Sequence, residues 1–139
     1  MNDWVKIVVD GTPVPKGRPR LGKGRVYTPK RTKAQEEKIK SFALLEMRVK
    51  RLKPFEGRIC LGVEVVQKSR RGDIDNHVKL VSDALNGIVY VDDEQIDEIH
   101  VWRTIYDDID PRITGGEKTI ITVSEATDAG DNREGYGSY

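Results

Sequence analysis

Cysteine is nearly absent. Cys60 stands alone in 139 residues, so no intrachain disulfide is possible and the fold must rest on its apolar core. Histidine is almost as scarce: His77 and His100, with one cysteine, offer none of the ligand spacings of a zinc finger or ribbon. No apolar run approaches the eighteen or so residues that cross a bilayer, so no membrane partner is expected. The N-terminal Met-Asn-Asp-Trp-Val-Lys lacks the charged-then-apolar layout of a secretion signal, and a cytoplasmic location is expected. Acids, too, are missing from one place. Between Lys16 and Lys33 there are eight basic residues and no Asp or Glu.

That gap exposes an asymmetry which the formal net charge of +1 conceals. Residues 1–58 hold sixteen Lys or Arg against six acids, a net of +10. The remainder holds eight against seventeen, a net of −9. A segregated basic segment is the electrostatic footprint of a polyanion binder. A charge run is more often a solvated face, but this one is rich in Gly and Pro, an unusual composition for a helix surface. A loop over about 11–31 presenting Lys16, Arg18, Arg20, Lys23, Arg25, Lys30 and Arg31 suits a phosphate backbone, and Tyr27 suits stacking on a sugar or base.

The other informative stretch is Arg70-Arg71-Gly72-Asp73-Ile74-Asp75-Asn76-His77-Val78-Lys79, followed after a short apolar run by Asp92-Asp93. On an extended backbone, Asp73 and Asp75 point the same way. Lys79 lies one helical turn beyond Asp75 if a helix opens near Asn76. Carboxylates converging on one point repel unless a divalent cation neutralises them, and hard oxygen ligands suit Mg²⁺, with Mn²⁺ able to substitute. A nearby lysine is placed to meet a phosphate. The plainer alternative is that Asp75 or Asn76 caps the helix and Asp92-Asp93 makes a turn. Capping needs one acid, however, and accounts for neither Asp73, nor Lys79, nor the second pair. The combination points to metal-assisted phosphodiester chemistry.

Periodicity supplies the frame. Val5–Val9 reads as a strand ended by Asp10-Gly11. A helix capped by Thr28 or Thr32 runs to about Leu52, with Ile39, Phe42, Leu45, Val49 and Leu52 as its buried stripe, and Pro54 stops it. Ile59, Leu61, Val63 and Val65 alternate as a second strand that leads into the acidic corner. A second helix from about Asn76 to Asn86 turns Val78, Val81 and Leu85 inward and ends at Gly87, with Lys79 and Asp83 on another face as a possible ion pair. The run Ile88–Val91 carries Asp92-Asp93 back toward the first acids. Strands follow over Glu98–Tyr106 and Lys118–Ser124. Trp102 reads as a packed aromatic and His77 as an ordinary polar residue. The order is α+β: a small mixed β-sheet with two main helices packed on it. One domain over 1–125 and a flexible tail over 126–139 are expected.

The runs Asp73-Ile-Asp75-Asn76-x-x-Lys79, Asp83-Ala84-Leu85-Asn86 and Val91-Asp92-Asp93-x-Gln95-Ile96 resemble the RusA family of Holliday junction resolvases. Pro13-Val14-Pro15-Lys16-Gly17-Arg18-Pro19-Arg20 and Tyr27-Thr28-Pro29 resemble the basic N-terminal loop of its phage and prophage members. The resemblance spans about residues 7–125. It implies a small homodimeric, Mg²⁺-dependent endonuclease that nicks four-way DNA junctions symmetrically in recombination and repair. It also implies Asp73, Asp75, Lys79 and Asp93 as the catalytic set, with the three acids as metal ligands. Asp92 and Asn76 are expected in the outer shell, and Arg70 and Arg71 on phosphates beside the cut. Two other readings stand beside it: a nuclease acting on flaps or forks, and a non-catalytic DNA-binding protein whose acids are structural.

Overall fold

The computed structural model describes residues 3–17, 20–22, 24–27, 29–106 and 115–126. Six strands and two helices follow one another along it: β1 (Trp4–Asp10), β2 (Arg20–Gly22), β3 (Arg25–Tyr27), α1 (Lys30–Val49), β4 (Ile59–Gln67), α2 (Ile74–Leu85), β5 (Ile96–Ile105) and β6 (Lys118–Glu125). β1, β4, β5 and β6 form one sheet in the order β1-β6-β4-β5. β6 pairs antiparallel with both β1 and β4, whereas β4 and β5 run parallel. Parallel neighbours need a crossover connection. Here α2 supplies it, and the acidic motifs lie at its two ends. The mixed sheet with two helices is the α+β fold expected from the sequence.

Alternation fixes which side of the sheet the helices cover. Val5, Ile7 and Val9 of β1, Ile59, Leu61, Val63 and Val65 of β4, and Ile121 and Val123 of β6 are all buried. Their neighbours along each strand face the other way. α2 closes the core with Val78, Leu80, Val81, Ala84 and Leu85, the inward face expected at Val78, Val81 and Leu85. Gly87, at φ +82°, follows the helix as its terminating residue.

Three local expectations need correction. The buried stripe of α1 is Thr32, Gln35, Ile39, Ala43 and Met47. Phe42 and Leu52 pack partly against the core, while Leu45 and Val49 are 57% and 68% exposed. Apolar spacing alone selected the longer side chains, but the small Ala43 lets α1 approach the sheet closely. Leu45→Ala is therefore expected to change stability by no more than about 0.5 kcal/mol, checked by denaturant unfolding. The helix also begins after Pro29 with no side-chain cap, so Thr32 does not cap it, and Thr28 lies outside the described residues. Lastly, part of the loop expected over about 11–31 is regular: β2 and β3 form an antiparallel hairpin that turns at Gly24, φ +75°. Its strands are three residues each, too short to show alternation.

Trp102 proves half exposed, on the sheet face away from the helices. No helix among the described residues is long and apolar enough to cross a membrane. Most of the tail expected over 126–139 lies outside the described residues.

Candidate active site

α2 opens two residues earlier than its polar start suggests. Asp73 occupies the N-cap position with extended backbone, φ −81° and ψ 142°, and its carbonyl accepts from the Asn76 and His77 N–H groups at 3.1 and 3.2 Å. Neither Asp75 nor Asn76 is the cap, since both lie inside the helix. The argument that Asp73 and Asp75 share a side of an extended strand lapses for the same reason. More telling is what Asp73 does not do: its carboxylate makes no capping hydrogen bond. Both acids stand exposed at the helix head, where the dipole favours negative charge.

The turn into that helix is held by contacts remote in sequence. Gly72 adopts φ +75°, and a Cβ there would lie 2.7 Å from Pro15 Cγ and 3.1 Å from His77 Nε2. Only glycine satisfies both the conformation and the space. The neighbouring Arg71 carbonyl is a convergence point. Gln67 Nε2 donates to it at 3.0 Å, His77 Nε2 lies 3.0 Å away, and Arg103 Nη2 reaches it at 3.4 Å while also donating to the Gly72 carbonyl. His77 is thus a buried strut, 3% exposed. Sequence offered no signal for Gln67 or Arg103, which arrive from the C-terminal half of β4 and from β5.

Burial, ahead of every other cause, lowers the His77 pKa below its ordinary 6.5; the Arg71 carbonyl opposes this and the Arg103 charge adds to it. The unfolded chain therefore binds more protons than the fold just below pH 6.5, so stability falls as pH drops through that value. His77→Gln is expected to flatten that part of the stability–pH curve, measured by urea unfolding between pH 7.5 and 5. An unchanged slope would exclude His77 as its source.

Lys79 lies one turn beyond Asp75 on the exposed side of α2, and Asp83 one turn beyond that. Asp83 does not pair with Lys79. It takes the Lys16 ammonium, which also lies 3.3 Å from Glu36 on α1. Asp93 begins a 3₁₀ turn, Asp93–Gln95, and lies near enough to Asp83 and Lys79 to feel both charges. Its carboxyl is raised above the usual range, first by a side-chain hydrogen bond with Asp92, then by burial and by the charges of Asp92 and Asp83; Lys79 pulls it the other way. Asp92 caps the 3₁₀ turn, its Oδ1 accepting from the Glu94 N–H at 3.3 Å while Gln95 answers its own N–H at 2.9 Å. Beneath the row, Tyr90 donates its hydroxyl to the Ser82 carbonyl at 2.6 Å.

The structure thus gathers Asp93, Asp92, Asp83 and Lys79, and sets Asp73 and Asp75 at the helix head. Eight residues of helix separate Asp75 from Asp83, about 12 Å of rise, with Lys79 midway. The ligand atoms of Asp73, Asp75 and Asp93 do not all lie within 4.8 Å of one another. The donors nevertheless fit a hard divalent cation by chemistry: oxygen alone, a carboxylate left unused by its cap, and acids crowded at Asp92-Asp93. Asp83, of the Asp83-Ala84-Leu85-Asn86 run, belongs to this neighbourhood, engaged by Lys16 rather than by the Lys79 that spacing offers it. Its signal was the four-residue spacing Asp75, Lys79, Asp83.

The basic loop leaves from this place. The Lys16 N–H donates to the Asn76 carbonyl at 3.0 Å, and the Gly17 N–H to Thr32 Oγ1 at 2.9 Å, so residues 16–17 are pinned across the openings of both helices. Arg18 and Lys23 lie outside the described residues; Arg20 and Arg25 fall on the two strands of the hairpin. Lys30 and Arg31 are exposed in the first turn of α1. Arg70 is exposed beside the acidic corner, and Arg71 pairs with Glu117. Burial alone would raise the Glu117 pKa, but hydrogen bonds from the Lys68 N–H, Thr12 and Arg71 bring it below the ordinary carboxylate value.

Residues 10–114 match the family model of endodeoxyribonuclease RusA. Enzymes of that family act on Holliday junctions and generally depend on a divalent metal. A Bacillus subtilis (strain 168) protein, described as uncharacterized protein YqaN, is 30% identical, over 71% of this chain and 86% of its own length. The family match takes in the basic loop, both helices and every acid of the corner, and the chain belongs to the RusA endodeoxyribonuclease family.

Proposed function

We propose that this protein is a Mg²⁺-dependent endodeoxyribonuclease that resolves four-way DNA junctions by paired symmetric nicks, in recombination and repair, with Mn²⁺ able to replace Mg²⁺. One observation carries the reading: residues 16–17 are pinned across the head of α2, so the acid-free basic loop issues beside Asp73 and Asp75. A polyanion following that loop is delivered to the carboxylates.

Asp73, Asp75 and Asp93 would hold one or two ions. When bound, such an ion lowers the pKa of an attacking water and offsets charge on the phosphoryl oxygens. The chain's own groups do the rest. Lys79, between the two acid groups, stabilises charge on the scissile phosphate or positions the nucleophile. Asp92 and Asn76 orient the ligands from outside, Asp92 while capping the 3₁₀ turn. Arg70 and the outer part of Arg71 grip phosphates near the cut. Lys16 acts mainly by anchoring the loop, because Asp83 and Glu36 already engage its charge. Arg18, Arg20, Lys23, Arg25, Lys30 and Arg31 follow a junction arm. Two opposed cuts on a two-fold symmetric junction call for two symmetry-related sites, hence a homodimer.

The test is nicking of a labelled four-way junction beside flap, fork and linear-duplex controls, with Mg²⁺ or Mn²⁺. Paired nicks placed symmetrically in the junction are expected. Cleavage of flaps or forks in preference would reassign the substrate. Salt-sensitive binding without nicks in either metal would return the acids to a structural role.

A further inference from the structure

The sheet face turned away from the helices carries a second cluster of metal-ligating groups. Glu98 and His100 are two apart on β5 and so share a side. β4 runs parallel beside them, with Cys60 opposite Glu98 and Gly62 opposite His100. The neighbours of Cys60 along the chain, Ile59 and Leu61, are buried under the helices, so the thiol projects from the opposite face. One thiol, one carboxylate oxygen and one imidazole nitrogen meet there, all within 4.8 Å of one another. His100 Nε2 and Glu98 Oε2 are 3.2 Å apart. Two ligands with bonds of about 2.0–2.1 Å at a tetrahedral angle would stand roughly 3.3 Å apart, so this pair already has the required bite.

We propose that Cys60, Glu98 and His100 form a binding site for a borderline divalent cation of the Zn²⁺ class, separate from the hard-cation site at α2. A thiolate–imidazole–carboxylate set selects against Mg²⁺, which prefers oxygen donors alone, and toward zinc. Three protein ligands leave one tetrahedral position, and His100 is half exposed, so that position opens to solvent and takes a water. On the other side of β4, Thr122 and Ser124 of β6 stand opposite Gly62 and Cys60. A Cβ at Gly62 would lie 2.4 Å from Thr122 Oγ1, so the Thr122 hydroxyl occupies the space beside Gly62. The site was invisible to spacing rules because its ligands come from two strands almost forty residues apart in the chain.

Co²⁺ is the probe, added to the full-length, reduced protein with Mg²⁺ in excess. One equivalent is expected to give intense visible bands of a tetrahedral ion together with a near-ultraviolet thiolate-to-cobalt band, both erased by one equivalent of Zn²⁺. Cys60→Ser should lose the thiolate band, and His100→Ala and Glu98→Gln should weaken Co²⁺ binding at least about tenfold. Asp75→Asn should leave the spectrum intact, which separates this site from the one at α2. Circular dichroism of each metal-free variant shows that the fold is retained. Bands that never appear at stoichiometric Co²⁺, a thiolate band that survives Cys60→Ser, or loss of the bands in Asp75→Asn would each overturn the proposal.

Discussion

Asp75→Asn is expected to lower the rate of junction nicking by well over 100-fold while leaving junction binding within a few-fold of wild type. The magnitude follows from position. Loss of a group that merely orients a metal ligand costs about 10–100-fold, and a direct ligand should cost more. Asparagine keeps the size and one oxygen but removes the charge that a hard cation requires. The fold should hardly notice. Asp75 is exposed in the first turn of α2, where its attraction to the helix dipole is worth about 0.3–1 kcal/mol. Asp73→Asn should behave alike, because asparagine serves as well as aspartate at an N-cap and the Asp73 side chain makes no capping bond to lose. Asp93→Asn completes the set. Asp92→Asn is the contrasting case: asparagine still accepts from the Glu94 N–H, so nicking should fall far less. Quantitative nicking of a labelled junction at saturating Mg²⁺, with binding followed by gel shift, makes the comparison. A normal rate in Asp75→Asn would remove it from the catalytic set.

The readable part of this protein was the part governed by local rules. Strand β1 announced itself as a β-branched run, β4 through the spacing of Ile59, Leu61, Val63 and Val65, and α2 because Val78, Val81 and Leu85 recur at helical spacing. The acids of the corner stood out in the sequence by their number, since capping cannot use so many. Their geometry did not. Spacing suggests an extended Asp73–Asp75 pair, whereas Asp73 occupies the N-cap position without a side-chain cap and Asp75 lies inside the helix. α1 misled for a packing reason: alternative apolar stripes run along it, and the choice of Ala43 over Leu45 depends on how close the sheet lies. The supports of the site were hidden, because Gln67 of β4, Arg103 of the paired β5 and His77 of α2 meet only in the folded chain. Lys16 shows the same limit from the other side. Charge counting makes it one of eight equal cations, and tertiary structure makes it an anchor.

Those hidden supports give the second large effect. Arg103→Met is expected to reduce the nicking rate about 10–100-fold, through the backbone rather than through any contact with the metal. Arg103 holds the carbonyls of Arg71 and Gly72, the two residues that precede Asp73. Releasing them lets the head of α2 shift, and a displacement of about 1 Å at a reacting group can cost roughly 100-fold. Methionine keeps the long apolar stem but donates nothing. The stability loss should be small beside the loss of rate. Hydrogen bonds from a charged donor contribute about 1.5–3 kcal/mol, but here the carbonyls are near solvent and Gln67 and His77 still serve Arg71. Removing the guanidinium also removes a buried Nε that has no hydrogen-bond partner among the described residues. A purely destabilising change would lower the amount of active enzyme without altering its metal requirement. Misplaced carboxylates should instead raise the Mg²⁺ concentration for half-maximal nicking while junction affinity stays nearly constant. Rate against Mg²⁺ concentration, measured well below the melting temperature, separates the two. An unchanged half-saturation with an unchanged rate would mean that Gln67 and His77 hold the turn without Arg103.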